Sequence, residues 1–384
     1  MYTKLCNVEK LVLVTSLMLS LFSCNLTHKL NDPVRHVTAA DQVWDTTNVK
    51  AFEDRLEALR KRHHIPSISF GIVNERKLVL KNALGYADVE NKVRPDEHTV
   101  YHLASITKTF GSIIIMQQVE AGAVNLDDPI AKYGINLGAR WGSDERIKVK
   151  HLLTHTAQGH TFNAFRPGYS FRYNGDFYGS LTSVVEKASG KTFEELVIKN
   201  IIESLQLKNT VPNLADTSAF NLTGYDRNGF IKNVAKPYDW QKGELVSIQY
   251  RDYFGVSAGL MSSVSDLATY SIAIDDNKFL NPGTWEKVFT PAVSPKGKVF
   301  QYGLGWFVKY YKGVKVVWHT GWWDGCSGLL IKIPEKDLAF IILANSQDLS
   351  RPFYHFLNPF RRSLNNNLRA SAFARAFLDH FGEL

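Results

Sequence analysis

The amino-acid sequence predicts an α+β fold: an antiparallel sheet built from both ends of the chain, flanked by helices, with a mostly helical domain inserted between its two halves. Strand-like patterns cluster near the chain ends, at residues 67–84 and 313–344, whereas helix and loop signals fill the middle of the sequence. With 384 residues, 45% of them hydrophobic, the chain is long enough to bury a large core or to form two lobes.

The first predicted element is an amphipathic helix that begins near Thr47 or Asn48. Its apolar face carries Val49, Phe52, Leu56 and Leu59. A β-hairpin follows, in which Ser67–Asn74 is the first strand and Lys77–Leu84 returns after a short polar turn. The residues expected on the buried side of the first strand are Ile68, Phe70 and Ile72.

The middle of the chain begins with a predicted helix over residues 103–121 that ends at Gly122. The clearer helical stretches that follow it are Thr182–Ala188 and Phe193–Ile202. Three late strands are predicted at Gly313–His319, Gly328–Ile333 and Leu338–Ala344. A last helix at Arg369–Phe381 carries phenylalanines at four-residue spacing.

The predicted domains follow from this order of elements. Residues 47–108 and 255–384 form the sheet domain, residues 109–254 form the helical domain, and we expect the active site between the two. Residues 1–23 are expected to be a signal peptide, and residues 24–46 a polar tether.

The N-terminus predicts export from the cytoplasm. Leu11–Phe22 is a nearly unbroken apolar run, preceded by two lysines and shorter than the roughly 20 residues that span a bilayer. The run ends in Leu21-Phe22-Ser23-Cys24, which resembles a bacterial lipoprotein processing site with Cys24 as the lipid-attachment residue. The alternative is ordinary cleavage near Ser23 without a lipid. We therefore expect a protein of the cell envelope, held at a membrane by a lipid anchor or else periplasmic or secreted.

Charge and composition exclude several classes of protein. The net charge is +8, but no block of five Lys and Arg occurs, so we expect no nucleic-acid partner. Once Cys6 is removed and Cys24 is lipidated, Cys326 is alone, which excludes an intramolecular disulfide and favours a small buried hydrophobic role. Adjacent His63 and His64 lack a third ligand and no phosphate-binding glycine loop occurs, so we expect neither a metal nor a cofactor.

The first motif with chemical meaning is Ser105-Ile106-Thr107-Lys108. Three-residue spacing on a helix places the serine and the lysine on one face. A serine hydroxyl needs a base within hydrogen-bond reach, and a lysine can act as that base only if burial or a neighbouring charge keeps it partly neutral. Because this spacing is expected about once by chance in a chain of this length, the motif alone is a hypothesis.

The motif gains weight from its context. Downstream lie Tyr173, within the segment Pro167–Tyr178, and then Trp318-His319-Thr320-Gly321 at the end of an apolar strand. In this order the three motifs resemble the serine β-lactamase and penicillin-binding-protein superfamily. The resemblance is closest to the branch that holds class C β-lactamases, D-amino-acid peptidases and lactamase-like esterases. Further segments that match family signatures are Gly122–Ile130, His151–Thr156, Ser257–Leu260 and Tyr302–Trp306.

The resemblance implies a β-lactamase-like fold and a role for each motif residue. Ser105 would attack the substrate carbonyl and form an acyl-enzyme, while Lys108 and Tyr173 would share the general-base work. A phenol beside an ammonium is expected to have a lowered pKa. The N–H groups of Ser105 and Trp322 would form the oxyanion hole. The remaining residues that would contact the substrate are His319, Thr320, which would line the cleft, and Gly321.

Two departures from the family pattern bear on the substrate. The Tyr-x-Asn motif of class C enzymes has Gly175 at its third position here, which removes a side-chain amide unless Asn174 or Asp176 replaces it. His319 stands where classical lactamases have a lysine, and a mostly neutral histidine attracts a substrate carboxylate less strongly. Together they favour an esterase or peptidase over an efficient β-lactamase.

Three other residues have an open or structural interpretation. His155 is expected to be structural, because the family keeps the equivalent residue away from the chemistry. Trp322 and Trp323 either pack the sheet edge or narrow the acyl pocket toward flat or aromatic groups.

The sequence thus predicts a β-lactamase-related serine hydrolase that cleaves an ester or amide without a cofactor. Its substrate would be a small acyl ester or a D-amino-acid peptide of the cell wall. The alternatives are a true β-lactamase and a non-catalytic envelope protein that binds peptidoglycan or a partner. Gly175 and His319 make the binding protein conceivable, whereas intact Ser105, Lys108 and Tyr173 argue against it.

Overall fold

The computed structural model describes residues 44–137, 146–157, 166–214, 217–356, 362–364 and 366–384. The predicted signal segment, nearly all of the tether and Cys24 lie outside these ranges. None of the helices in the described ranges is long and apolar enough to cross a membrane. Within the same ranges, no group of three or more His, Cys, Asp or Glu side chains is placed to hold a metal ion.

The core of the fold is a six-stranded antiparallel sheet. In chain order the strands are β1 (Ser67–Asn74), β2 (Lys77–Gly85), β3 (Tyr101–His102), β4 (Tyr238–Gln241), β5 (Glu244–Ser247), β6 (Met261–Ser262), β7 (Ala292–Val293), β8 (Val299–Phe300), β9 (Phe307–Tyr311), β10 (Val314–Trp323), β11 (Cys326–Ile333), β12 (Leu338–Ala344), β13 (Tyr354–Phe356) and β14 (Arg362–Leu364). The large sheet has the order β2-β1-β12-β11-β10-β9. The other strands pair as β3–β6, β4–β5, β7–β8 and β13–β14.

Most helices come from the chain between the two groups of sheet strands. The α-helices are α1 (Thr46–Arg62), α2 (Thr107–Glu120), α3 (Val149–Leu153), α4 (Gly175–Gly179), α5 (Leu181–Ser189), α6 (Phe193–Val197), α7 (Thr217–Thr223), α8 (Arg227–Lys232), α9 (Val264–Asp275), α10 (Pro282–Val288) and α11 (Ala372–Phe377). The 3₁₀ segments are Ala104–Ile106, Ile130–Tyr133, Pro334–Lys336, Arg351–Phe353 and Leu368–Ala370. The π segments are Ile198–Glu203 and Leu378–Gly382.

The predicted fold class is confirmed. β1 and β2 come from the N-terminal side and β9 to β12 from the C-terminal side, and β1 pairs with β12 to join the two ends of the chain. The hairpin prediction is also confirmed, because β1 and β2 pair over their full length. The predicted boundary between a sheet domain and a helical domain stays a prediction.

β1 differs from its predicted one-sided pattern. Its side chains are buried on both faces of the sheet, including the polar Ser67 and Ser69. Their hydroxyls lie 3.2 and 3.0 Å from the Tyr101 hydroxyl, which satisfies them inside the protein. Gly71 lies against α9, and a Cβ there would come within 2.8 Å of a Val264 methyl group. The second layer of helices therefore covers the face that alternation alone would leave to solvent.

The opposite face of the sheet packs against α1 and α11. Phe52 is fully buried, with its ring centroid 5.8 Å from that of Phe340 and 4.9 Å from that of Phe381. α1 begins two or three residues earlier than predicted, because its N-cap is Asp45, which accepts the Asn48 N–H at 2.8 Å, and not Thr47 or Asn48. The predicted terminal helix is interrupted: α11 is preceded by a 3₁₀ segment and followed by a π segment.

The helix that carries the Ser-Lys motif is almost completely buried. It starts with the 3₁₀ turn Ala104–Ile106 and continues as α2, whose residues from Thr107 to Met116 are all inaccessible to solvent. A helix that is apolar all round belongs in the interior between layers. The prediction of a helix over residues 103–121 is confirmed, with a 3₁₀ first turn that sequence periodicity cannot distinguish.

Candidate active site

Ser105 lies in the tight turn that joins β3 to α2. The Leu103 N–H donates to the Leu260 carbonyl at 2.8 Å, which ties the turn to the segment before β6. Ala104 has a φ of 46°, a left-handed conformation that costs a non-glycine residue about 1 kcal/mol and persists only where the surroundings impose it. Ser105 itself remains partly exposed, although Ala104 and Ile106 on either side of it are buried. The turn therefore presents the serine hydroxyl at an otherwise closed surface.

Lys108 lies directly behind the serine, as the spacing predicted. Its Nζ donates to Ser105 Oγ at 3.0 Å and to the Ser257 carbonyl at 2.7 Å, and only 1% of the residue is exposed. Burial lowers the pKa of Lys108 from 10.5 to about 7, and the Asp176 carboxylate opposes part of this shift. The condition that sequence reasoning set for a lysine base, partial neutrality through burial, is met.

The Tyr173 ring lies beside the same lysine, with its centroid 5.2 Å from Lys108 Nζ. Burial raises the pKa of the Tyr173 phenol well above its ordinary value, and the neighbouring Ser105 hydroxyl offsets only part of the increase. The expectation that the ammonium would lower this pKa is wrong, because burial of the phenol outweighs the effect of a lysine that is itself only partly charged near pH 7. The phenol therefore keeps its proton over the physiological pH range, whereas part of the lysine amine is unprotonated.

His155 supports the loop that carries Tyr173. Its Nδ1 accepts the Asn174 N–H at 3.2 Å, its carbonyl accepts the Arg172 N–H at 2.8 Å, and its ring centroid lies 4.2 Å from that of Tyr173. These contacts agree with the structural role expected of it. Asn174 uses its side-chain oxygen to cap α4, accepting N–H groups from Asp176 and Phe177. That amide oxygen is therefore committed to the helix and does not take the place of the amide missing at Gly175.

His319 is completely buried, with its ring centroid 6.2 Å from that of Tyr173. Its Nδ1 lies 2.9 Å from the Thr320 carbonyl, which can only accept, so this nitrogen carries the hydrogen. Its Nε2 then accepts from the Tyr302 hydroxyl at 3.0 Å. Burial and the proximity of Lys108 lower the pKa of His319 to about 3. His319, which replaces the lysine of classical lactamases, is thus neutral throughout the physiological pH range. With its ordinary pKa of 6.5, a fraction of it would still be charged at pH 7.

Thr320 does not line the cleft as expected. Its hydroxyl is fully buried and lies 3.1 Å from the Gly328 carbonyl oxygen and 2.8 Å from Ser350 Oγ, so its hydrogen bonds are made inside the protein. Successive side chains of a strand point to opposite faces of the sheet, and Thr320 pairs with Leu329, which belongs to the core under α1 and α11. Its side chain therefore faces away from Ser105. The expectation that this hydroxyl lines the cleft and orients the substrate is wrong, because strand alternation places it on the other face of the sheet.

Gly321 brings the end of β10 against the nucleophile turn. A Cβ at this position would lie 2.3 Å from the Leu103 carbonyl oxygen, so only glycine allows this approach. The next residue, Trp322, is half-buried and pairs with Ser327 of β11. Trp323 lies beside Tyr253, at a ring distance of 5.7 Å. The oxyanion role of the Trp322 N–H stays a prediction, but the backbone that carries it is held next to Ser105.

Sequence reasoning did not give roles to Ser257 and Tyr302. Both stand in segments that match family signatures. The motifs therefore indicated that these segments matter, but not which residue in each segment contacts the site. Ser257 supplies the carbonyl that holds Lys108, and Tyr302 supplies the hydroxyl that holds His319. Neither contact follows from local spacing, because each joins residues far apart in the chain.

Cavity size does not mark this site. A well-formed cavity of about 530 Å³ is lined by residues such as Leu126, Gly168, Val293 and Phe300 and by none of Ser105, Lys108 and Tyr173. What points to chemistry is the grouping of a partly exposed serine, a buried lysine with a lowered pKa and a phenol.

The comparison with known families agrees with this constellation. A family profile described as Beta-lactamase matches residues 52–356. The chain belongs to the β-lactamase family. Members of this family are serine hydrolases of the β-lactamase and penicillin-binding-protein type. The narrower assignment to the class C-like branch stays a prediction.

Two curated members of the family show how distant the relatives are. The chain is 24% identical over 324 residues to Protein flp of Staphylococcus aureus strain MW2, covering 74% of this chain and 60% of that protein. It is 23% identical over 305 residues to Penicillin-binding protein 4* of Bacillus subtilis strain 168, covering 71% of this chain and 66% of that protein. The match to this chain thus spans about 60% of the length of Protein flp.

Solved structures of β-lactamase-family proteins share the fold. The octameric penicillin-binding protein homologue from Pyrococcus abyssi superposes with a TM-score of 0.68 at 27% identity, over 78% of this chain and 74% of that one. The penicillin binding protein from Bacillus halodurans gives a TM-score of 0.62 at 21% identity, over 76% and 95%. The second likeness concerns the fold alone.

Proposed function

We propose that this β-lactamase-family chain hydrolyses esters or amides of small acyl groups through an acyl-enzyme on Ser105. The observation that carries the proposal is the 3.0 Å hydrogen bond between Ser105 Oγ and Lys108 Nζ, whose pKa burial lowers to about 7. A neutral amine within hydrogen-bond reach is what a weak serine nucleophile requires. A degenerate binding protein would have no need of a lysine kept neutral by burial.

The proposed reaction runs in two halves. Lys108 Nζ accepts the proton of Ser105 Oγ as the oxygen attacks the acyl carbonyl carbon, and the N–H groups of Ser105 and Trp322 stabilise the oxyanion. The bond to the leaving group then breaks, the Tyr173 phenol donates a proton to the departing atom, and the Lys108 ammonium restores the phenol. In the second half, water attacks the acyl carbon with Lys108 again as base, which releases the acid and free Ser105.

The charges around the site favour a substrate without a carboxylate in its leaving group. His319 is neutral, and its two ring nitrogens are used by Thr320 and Tyr302. The nearby guanidinium of Arg251 is paired with Asp324 at 2.6 Å. The Asp176 carboxylate lies close enough to act on Lys108. We therefore place small neutral esters ahead of β-lactams and of cell-wall peptides that end in a carboxylate.

A matched pair of esters tests this preference. Methyl 3-acetoxybenzoate and 3-acetoxybenzoate differ in a single carboxylate on the leaving group, and both release an acetyl group to the serine. We expect turnover of both by the purified chain, with kcat/KM at least ten-fold higher for the methyl ester, and no turnover by Ser105→Ala. A preference for the carboxylate, or rapid hydrolysis of a chromogenic cephalosporin, would favour the peptidase or lactamase alternative. Absence of turnover with every ester, lactam and D-alanyl peptide would favour the binding protein.

A further inference from the structure

His102 stands two residues before the left-handed turn at Ala104, and no catalytic role has been given to it. Its Nδ1 accepts the Ala104 N–H at 2.9 Å inside the protein, and only 4% of the residue is exposed. An acceptor that bonds the N–H two residues later is the arrangement by which Asx side chains hold a tight turn. Here an imidazole takes the place of the Asx oxygen.

The imidazole is itself held on three sides. Tyr250 stacks on it at a ring distance of 5.7 Å, the edge of Trp323 meets it at 5.5 Å, and Cys326 Sγ lies 3.5 Å from its Nδ1. The backbone of His102 pairs with Met261 between β3 and β6. The ring thus joins the segment before the nucleophile to β10, which carries Trp322, and to the neighbouring strand β11.

The protonation state of His102 suits an acceptor. Burial lowers its pKa to about 4, so Nδ1 keeps a free lone pair at neutral pH and the hydrogen lies on Nε2. The Ala104 N–H that it accepts belongs to the peptide between Leu103 and Ala104. With φ of Ala104 at 46°, this hydrogen bond sets the direction of the next peptide, which carries the Ser105 N–H.

We propose that His102 is a positioning residue, which holds the Ser105 N–H and Oγ in their reactive orientation by accepting the Ala104 N–H. It touches neither the substrate nor the reacting atoms. The inference rests on the proposed function, because it assigns the Ser105 N–H to the oxyanion. Displacement of that N–H weakens transition-state stabilisation more than ground-state binding, so the loss belongs in kcat.

The test compares three variants at His102, of which one keeps an acceptor within reach of the Ala104 N–H and two do not. In His102→Asn the side-chain oxygen occupies the place of Nδ1, whereas the longer His102→Gln carries its oxygen past it and His102→Leu has no acceptor. For methyl 3-acetoxybenzoate we expect kcat within about three-fold of wild type in the asparagine variant. In the glutamine and leucine variants we expect kcat to fall roughly 10- to 100-fold with KM nearly unchanged. Cys326→Ala, which removes packing on the ring but keeps the acceptor, should stay within about two-fold.

A second measurement separates this inference from the proposed function. Amide hydrogen exchange of Ala104 in the resting proteins needs no substrate, and we expect faster exchange in the glutamine and leucine variants but not in the asparagine variant. Two results would overturn the positioning role. One is faster exchange of the Ala104 N–H with unchanged kcat, and the other is a kcat in the asparagine variant as low as that in the leucine variant. If the leucine variant does not fold, the contrast between asparagine and glutamine decides. Loss of wild-type turnover would overturn the proposed function, while the exchange result would still report on the hydrogen bond.

Discussion

At the scale of single residues, burial of Lys108 lowers its pKa far enough for the amine to serve as the base of the proposed mechanism. The amine gives up hydration for two hydrogen bonds, to Ser105 and Ser257, and its pKa falls to about 7. Burial also raises the pKa of Tyr173, which is why the proposed mechanism uses the lysine as proton acceptor and the phenol as proton donor. Site environment, and not residue type, sets these roles.

The lowered pKa of Lys108 predicts the pH dependence of activity. The free enzyme is active with the amine neutral, so kcat/KM should be low below the pKa, rise through about pH 7 and then level off. The phenol stays protonated over this range, because its pKa is raised. Ester hydrolysis measured from pH 5 to 9.5 checks the profile. An apparent pKa near 10, the ordinary value for lysine, would mean that Lys108 is not the buried base described.

Replacement of Lys108 should separate activity from stability. We expect Lys108→Met to lose at least about 1,000-fold in kcat, the usual effect of removing a catalytic base. At pH 8 its free energy of unfolding should equal or exceed that of wild type, because methionine avoids the cost of burying the amine. Urea unfolding and ester kinetics measure both. An unfolded methionine variant would show that the lysine is needed structurally.

Lys332 offers a matched control for that experiment. It is another buried lysine, with 1% of its side chain exposed, but its partners are Asp275 at 2.8 Å and the Ser271 hydroxyl at 2.6 Å, neither of which contacts Ser105 or Lys108 through a described hydrogen bond. Lys332→Met leaves the Asp275 carboxylate without this partner, so we expect it to lose about 3 kcal/mol of stability with kcat unchanged. An equal loss of stability in Lys108→Met and Lys332→Met would contradict the distinction between a buried lysine without a carboxylate partner and one that is paired with Asp275.

At the scale of elements, the approach of β10 to the nucleophile turn depends on Gly321. A Cβ there would come within 2.3 Å of a backbone oxygen, which has no side-chain freedom to move. Gly321→Ala should therefore displace the strand from the turn, lower kcat on the order of 100-fold and cost about 1–3 kcal/mol in stability. Gly283→Ala in α10 is the control, since nothing lies within 4 Å of its Cβ. Full activity in Gly321→Ala would mean that this close approach is not required.

Elements were predictable where the pattern is local. The hairpin β1–β2 and the strands β11 and β12 follow from apolar runs between turn residues, and the Ser105-to-Lys108 geometry follows from helical spacing. The orientation of Thr320 and the hydrogen bond from Tyr302 to His319 were not predictable in the same way. Both depend on how strands distant in sequence pair and on what fills the space between layers.

At the scale of the whole molecule, several neutral histidines are buried on folding. Burial lowers the pKa of His102 to about 4 and of His319 to about 3, and holds that of His155 well below its ordinary value of 6.5. Between pH 6.5 and about 4 the unfolded chain binds protons that the folded chain does not. The free energy of unfolding should therefore fall as the pH falls through this window.

Urea unfolding at pH 7 and pH 5 checks this dependence, and we expect a loss of about 2 kcal/mol or more at the lower pH. His102→Asn removes one of the titrating groups and should flatten the dependence. His98→Asn alters a histidine whose side chain is 54% exposed and should leave it unchanged. Stability that rises toward pH 5 would contradict the assignment of these buried histidines as neutral.

The fold class was predictable for the molecule as a whole because strands at both chain ends require a sheet closed by β1 against β12. The proposed preference among substrates was not predictable, since it rests on the neutral state of His319 and on the ion pair between Arg251 and Asp324. These contacts join residues whose proximity no spacing in the sequence expresses.

Intact-protein mass spectrometry during turnover of methyl 3-acetoxybenzoate tests the acyl-enzyme on Ser105 most directly. Acid quenching within the burst should show one added acetyl group, located by proteolysis to the peptide that contains Ser105. Ser105→Ala should show none, and Lys108→Met should acquire it at least about 1,000-fold more slowly. Turnover without a trapped acetyl group, or an acetyl group that persists on another residue in Ser105→Ala, would contradict the mechanism.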